Sequence, residues 1–526
     1  MVLGAGLEPA RISPHAPQAC VSANFTTRAG VKTGSMISKR RSHGKGTFED
    51  FYCGRILAGG AGRKMVESRA ANNWKDMKMG FFKAYDMRGT FGKDFELATV
   101  RRIGAALPQV VGGRRWLVGR DCRVTSLDVR NALVAGLRSA GAEVTDLGLA
   151  TTPMVYFATA QRDFDGSVQI TASHNPPSDN GLKVSRRGAL PVGYSSGLAE
   201  VERLVEVLAD VKPSNDLEDV ASLTGFRDEY VQWLKDHAGG GFDGLRFAVD
   251  CSDGMAGLLA HDLFGPDTVY LNDSPDGRFP HHSPNPLLAE AREQVSAVVR
   301  ERGLDCGVIF DGDADRCMFV DETGTFIQPD YLIPVLAATY PERGTVIHDV
   351  RTSRAAIEAL RADGFTPVMG KVGHAFAKVL LRETGAICGG ELAGHYYFRD
   401  FFHCDSGELA ALRLLGAFAQ AKAGGKTVSQ FLAPIMSKYA NSGELNFTVS
   451  DKPAAIARVL AAAKRLGEET GRSDIDGYRL EYAEGWVSVR QSNTEPLLRL
   501  LVECDTPARL AAWRTMLSAA VVAADA

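Results

Sequence analysis

The chain has 526 residues, 45% hydrophobic, 23% charged and 8% aromatic, and 60 Lys plus Arg against 63 Asp plus Glu give a formal net charge of −3. These values exclude a disordered tail protein, a collagen-like fibre and a disulfide scaffold, and no run approaches the roughly 18–20 apolar residues of a membrane-spanning helix. Near neutrality also argues against a nucleic-acid binder, and at about 100–200 residues per domain the length suggests three or four domains.

The charge is unevenly spread. Residues 1–78 carry 13 Lys or Arg and 5 Asp or Glu, a net of +8, which leaves the other 448 residues with 47 and 58, a net of −11. Residues 6–30 have neither helical nor strand periodicity, and no continuous apolar segment of the kind a secretory signal needs is present. We expect residues 1–78 to be a disordered or spurious extension, with the true start near Met77 or Met79. The nine cysteines are scattered and form no CxxC pair, which fits a reducing, cytoplasmic setting and no zinc site.

From Trp116 onward, short apolar runs alternate with helical patterns. Residues 116–119 read as a strand, 127–140 as a helix with Val129, Leu133, Val134 and Leu137 on one face, and 144–149 and 166–170 as strands. The alternation resumes with strands at 245–250, 306–310 and 345–350, the last followed by a helix over 353–360. Such alternation predicts parallel or mixed sheets covered on both faces. The chain end differs, with strands at 478–482, 485–490 and 497–503 before a helix over 507–520. The fold class expected is α/β: three mixed-sheet α/β domains plus a smaller C-terminal α+β domain around a central cleft. The expected divisions are 80–224, 225–327, 328–434 and 435–526.

Four polar segments interrupt this frame. The first, Thr171-Ala-Ser173-His174-Asn-Pro-Pro177, directly follows a strand, and its two prolines fix a loop that displays Ser173. Lys183, ten residues on, suits pairing with phosphate or moving a proton; taken alone, an ordinary turn and an exposed lysine explain both features. The second is Asp311-Gly-Asp313-Ala-Asp315-Arg316. Three carboxylates so close repel one another unless a hard cation such as Mg²⁺ or Ca²⁺ lies among them. An EF-hand does not fit, because Arg316 takes the place of the sixth-position glycine and the flanks are strand-like. The third, Gly389-Gly-Glu391-Leu-Ala393-Gly-His395, follows a strand-like 386–388 and puts a carboxylate and an imidazole on a glycine-rich loop suited to sugar hydroxyls. His374 and Arg351 lie at similar strand ends upstream, where ligands of open α/β sheets collect. The fourth, Arg490-Gln-Ser492-Asn493-Thr494-Glu-Pro496, combines a guanidinium, hydroxyls and turn N–H groups, the equipment of a phosphate clamp.

With residues 82–89, these segments resemble the α-D-phosphohexomutases, and within them the phosphomannomutase/phosphoglucomutase group, over nearly all of residues 80–526. The resemblance implies reversible phosphoryl transfer between the 1- and 6-positions of a mannose or glucose phosphate. It makes Ser173 the phosphoserine carrier and Asp311, Asp313 and Asp315 the Mg²⁺ ligands, joined by a phosphoserine oxygen of Ser173. Lys183 and His374 would handle protons, Glu391 and His395 would bind hexose hydroxyls, and Arg490, Ser492, Asn493 and Thr494 would grip the phosphate not being transferred. Tyr85, Arg88, His174, Arg316 and Arg351 would support the site. A bisphosphorylated hexose would be activator and intermediate, and hexose phosphates the partners, with no nucleic acid and no membrane. Ala393 stands where the family usually has serine, which leaves the preferred hexose open. The alternatives are a phosphoglucosamine mutase, an aspartyl phosphatase with Asp311 as nucleophile, and a silent sugar-phosphate-binding protein.

Overall fold

A computed structural model of the protein describes residues 80–212, 219–492 and 497–523. The expected extension over 1–78, and Asn493 and Thr494 of the clamp, lie outside these residues.

The first sheet comprises β1 (Met87–Thr90), β2 (Arg115–Arg120), β3 (Glu143–Leu149), β4 (Gly166–Ile170), β5 (Asp179–Arg186), β6 (Leu190–Pro191) and β7 (Ala221–Ser222). Its order is β1-β5-β4-β2-β3-β7, with β6 on β5. β2 runs parallel to β3 and β4, whereas β5 runs antiparallel to β4 and sets Lys183 opposite Gln169. The segment carrying Lys183 is therefore a strand, and its lysine is buried.

The second sheet, β12-β11-β10-β8-β9, contains β8 (Phe247–Asp250), β9 (Val269–Leu271), β10 (Cys306–Phe310), β11 (Cys317–Asp321) and β12 (Phe326–Ile327). The Asp311–Arg316 loop is the turn between antiparallel β10 and β11. The third, β14-β13-β15-β16-β17, contains β13 (Thr345–Asp349), β14 (Thr366–Gly370), β15 (Cys388–Gly390), β16 (Tyr396–Phe398) and β17 (Cys404–Asp405). Here the sequence reading needs a correction: Gly389 and Gly390 belong to a strand, not to the loop after it. A Cβ at Gly389 would lie 2.2 Å from the Ile347 side chain, so the glycine serves the close approach of β13 and β15.

The fourth sheet is antiparallel throughout. It consists of β18 (Ala440–Asn441), β19 (Leu445–Phe447), β20 (Glu469–Ser473), β21 (Tyr478–Tyr482), β22 (Gly485–Gln491) and β23 (Leu498–Cys504), ordered β18-β23-β22-β21-β20 with β19 on β23. Helices Lys452–Ala463 and Pro507–Val522 cover it with Val459, Trp513 and Leu517, giving this sheet a core of its own. The other three share a core, since one apolar cluster runs from Leu117 and Phe157 through Val249 and Phe310 to Leu414 and Phe418. That shared packing fixes the strand-end loops of three sheets relative to one another.

The first strand of each parallel set ends in the same device. The carboxylate of Asp121, Asp250 or Asp349 accepts a hydrogen bond from the backbone N–H two residues on, that of Arg123, Ser252 or Arg351. In two cases the arginine then folds back onto the same carboxylate, with Nε to Oδ2 at 3.1 Å for both Arg123–Asp121 and Arg351–Asp349. The seven cysteines among the described residues are free, and no described helix is long and apolar enough to cross a membrane.

Candidate functional site

Ser173 follows β4 with φ at +52°, a left-handed backbone that a serine holds only when its surroundings impose it. Its N–H donates to Thr171 Oγ1 at 2.9 Å. The larger constraint is Arg123, whose buried guanidinium donates to four carbonyls of the loop: Ser173 at 2.9 Å, Asn175 at 2.7 Å, Pro176 at 2.6 Å and Asp179 at 2.9 Å. Sequence reasoning missed Arg123, although the recurrence of Asp-x-Arg after β2 and β13 was a signal for it. Arg123→Ala would strip four carbonyls of a donor and leave Asp121 buried without its ion pair. We expect a loss of about 3–5 kcal/mol of stability and about 100-fold in kcat with KM little changed, read from melts and steady-state rates.

The Ser173 hydroxyl donates to Asp311 Oδ2 at 2.8 Å and accepts from Arg316 Nη2 at 3.0 Å. Arg316 also pairs with Asp311 at 2.8 Å and donates to His174 Nδ1. The two loops press together at Gly312, where a Cβ would lie 2.5 Å from the Ser173 carbonyl oxygen. Arg88 donates to Asn175 Oδ1 at 3.2 Å and to Asp86 at 2.5 Å, bracing the loop from β1.

The three aspartates are fully buried and lie close enough for their carboxylate oxygens to share one ion. Lys183 Nζ donates to Asp313 Oδ2 at 2.7 Å and to Asp315 Oδ2, and Thr152 Oγ1 donates to Asp313 Oδ2 at 2.6 Å. Burial opposes the Lys183 charge, but Asp313 and Asp315 hold its ammonium above the ordinary lysine range. Among the described residues, Asp313 Oδ1 and Asp315 Oδ1 are buried without a hydrogen-bond partner. Burial, with Asp313 and Asp315 beside it, pushes Asp311 up. Orphaned hard oxygens in a strained carboxylate group fit a divalent cation such as Mg²⁺.

The third loop is tied to the second by a backbone bridge between Arg316 and His395 and by the Cys317 N–H donating to the Gly394 carbonyl at 3.3 Å. Glu391 accepts from Tyr397 OH at 2.6 Å and from the Gly373 N–H at 3.3 Å, and Arg351 lies 3.5 Å from it. His395 Nδ1 bonds Asp405 Oδ2 at 2.7 Å, and Lys378 pairs with the other oxygen of Asp405 at 2.8 Å. Lys378 and Asp405 are fully buried, and neither was visible as a site residue in the sequence. Burial works against the imidazolium of His395, but Asp315 and Asp405 raise its pKa. His374 is the opposite case: it begins helix His374–Thr384 with both ring nitrogens buried and, among the described residues, without a hydrogen-bond partner, and burial, Lys378 and Lys183 push it well down. Its ring lies 5.8 Å from that of His395 and 5.9 Å from that of Tyr85, whose hydroxyl donates to the Val372 carbonyl at 2.8 Å.

The last sheet joins through Leu392 of the third loop, which packs on its Trp486 and Leu501. Arg490 lies buried one residue before the end of β22, and Ser492 follows the strand at the edge of the described residues. Arg351 and Arg490 are drawn together by Glu444, which sequence reasoning also missed. The structure thus gathers Ser173, Lys183, the aspartates, Arg316, Glu391 and His395 into one connected polar network, with the His374 ring packed beside that of His395. It links Arg490 to that network through Glu444 and Arg351.

Comparison with known proteins places the chain. The chain matches the four successive domains of phosphoglucomutase/phosphomannomutase: α/β/α domain I over residues 79–208, domain II over 228–324, domain III over 328–439 and the C-terminal domain over 444–520. A phosphomannomutase of Salmonella montevideo is 37% identical over 435 residues, which cover 80% of this chain and 94% of that one. A protein of Xanthomonas campestris pv. campestris named for phosphohexose mutases is 37% identical over 449 residues, covering 84% and 98%. The crystal structure of a phosphoglucomutase/phosphomannomutase family protein from Burkholderia thailandensis superposes with a TM-score of 0.74 at 32% identity, over 85% of this chain and 99% of that one. With all four domains matched in order, the chain belongs to the phosphoglucomutase/phosphomannomutase family of phosphohexomutases, enzymes of the isomerase class.

Proposed function

We propose that the protein interconverts the 1- and 6-phosphates of mannose, glucose or both, through a phosphoserine at Ser173 and a bisphosphosugar. One observation carries the reading: the Ser173 hydroxyl lies between the Asp311 carboxylate and the Arg316 guanidinium, beside two carboxylates with orphaned oxygens. Phosphoryl transfer needs charge neutralisation and in-line placement more than covalent elaboration, and Arg316 with a cation among the aspartates would meet the first need.

In the proposed cycle a free sugar hydroxyl attacks the phosphorus carried by Ser173. The new O–P bond forms as the serine O–P bond breaks. The hydroxyl proton passes to a side chain, and from the protein's side chains a proton returns to the departing serine oxygen, which becomes the free hydroxyl. The bisphosphosugar then turns and returns its other phosphoryl group to Ser173. Mg²⁺ held by Asp311, Asp313 and Asp315 would supply positive charge to the phosphoryl oxygens when bound. Arg316 faces the serine oxygen from the other side, and Lys183 keeps two of the aspartates from repelling. Glu391 and His395 meet the hexose hydroxyls, and Arg490 with Ser492, Asn493 and Thr494 grips the remaining phosphate.

Proton handling falls best to His395. Its Nδ1 is committed to Asp405, which fixes Nε2 as the nitrogen that exchanges a proton, whereas Lys183 is committed to two carboxylates. His374, whose pKa burial pushes down and whose ring has no hydrogen-bond partner among the described residues, is the second candidate. Asp405 raises the His395 pKa, and a histidine that accepts a proton works only above its pKa. Asp405→Asn should therefore move the acid limb of the kcat/KM profile about one unit lower. An unmoved limb in a folded variant would contradict the role. The function itself is tested by assaying mannose, glucose and glucosamine 1-phosphates, primed with a bisphosphosugar. Turnover of mannose or glucose 1-phosphate should exceed that of glucosamine 1-phosphate, and the reverse order would overturn the assignment.

A further inference from the structure

Arg490 and Arg499 stand directly opposite each other in the β22–β23 ladder. Like charges so placed repel unless an anion lies between them. Glu444, on the segment between β18 and β19, is that anion. Arg490 Nη2 donates to its Oε1 at 2.9 Å and Arg499 Nη1 to its Oε2 at 2.8 Å. Arg351, from the end of β13, brings Nη1 within 3.7 Å of the same carboxylate. Burial works against the charge, yet the three guanidinium groups hold the Glu444 carboxyl down at about 2. Glu444 does not exhaust its partners, since Arg490 Nε is buried with no acceptor among the described residues.

Carboxylate and phosphate present the same face to a guanidinium: an anionic pair of oxygens that accepts its N–H groups. We infer that Glu444 is the internal counter-ion of the phosphate clamp, a positioning residue that holds Arg351, Arg490 and Arg499 in place and competes with the substrate's phosphate for them. The inference rests on reading Arg490 as a phosphate-binding residue. Competition of this kind suits an enzyme whose bisphosphorylated intermediate must leave the clamp and come back reversed. A carboxylate ready to take up the guanidinium N–H groups lowers the cost of letting the phosphate go.

The test uses the full chain with inorganic phosphate as the probe, titrated calorimetrically and as a competitive inhibitor of turnover. Glu444→Gln should bind phosphate about tenfold more tightly than the parent protein. Its kcat and KM for hexose phosphate should fall together, because release slows. A purely structural role would move neither constant in that direction. Phosphate affinity equal to or below that of the parent in a folded Glu444→Gln would overturn the inference. Arg490→Ala separates this from the underlying reading. If it leaves phosphate binding intact, the clamp assignment and the inference both fall; if it weakens binding while Glu444→Gln gains nothing, only the inference falls. Should Glu444→Gln not fold, Glu444→Asp, which draws the carboxylate back by one methylene, should gain about threefold, and no gain would overturn the inference.

Discussion

Replacing Ser173 with alanine is expected to lower kcat by at least about 10⁴-fold, because the group that carries the phosphoryl between the two half-reactions is gone. The fold should survive the change. Arg316 and Asp311 already pair at 2.8 Å without help from the serine, and Arg123 holds the loop through backbone carbonyls, not through the Ser173 side chain. A melting temperature close to that of the parent protein, alongside turnover near background, is the expected pair of readings. Turnover near that of the parent enzyme would remove Ser173 from the carrier role.

Asp313→Asn should raise the Mg²⁺ concentration needed for half-maximal activity by more than the roughly 10–100-fold that follows loss of a supporting contact to a metal site. Asp313 Oδ2 is occupied by Lys183 and Thr152, so the orphaned Oδ1 is the atom available to a cation. Lys183 retains Asp315 in the variant, which limits the structural damage. Activity titrated against Mg²⁺ in chelator-treated enzyme reads the effect. An unchanged Mg²⁺ dependence would show that Asp313 is not a ligand.

What could be read from the sequence followed from local chemistry. β4 and β10 have the predicted bounds because each is a short apolar run closed by a polar loop, a pattern carried by neighbouring residues alone. Ser173 and the aspartates stood out for the same reason, as dense polar chemistry set against apolar strands. Gly389 misled because a glycine pair reads as loop when the neighbour that requires it, Ile347, lies 42 positions away in the chain. Lys378, Asp405 and Glu444 were illegible as site residues for a related reason. Lys378 lies within a helix and no nearby residue marks it, and only the fold seals it against Asp405 and over the Tyr156 ring at 3.5 Å. Glu444 gains its meaning from arginines 46 and 55 positions downstream. Arg123 was within reach, because its Asp-x-Arg pattern recurs at Arg351.

The central claim is that Ser173 carries the transferable phosphoryl group, and labelling tests it most directly. The enzyme is incubated with a hexose bisphosphate labelled in its phosphoryl groups, digested, and the labelled residue located by mass spectrometry. The account predicts label on Ser173, stable to hydroxylamine, and its passage to unlabelled mannose or glucose 1-phosphate on a chase. Label on Asp311 as a hydroxylamine-labile acyl phosphate, with none on Ser173, would contradict it.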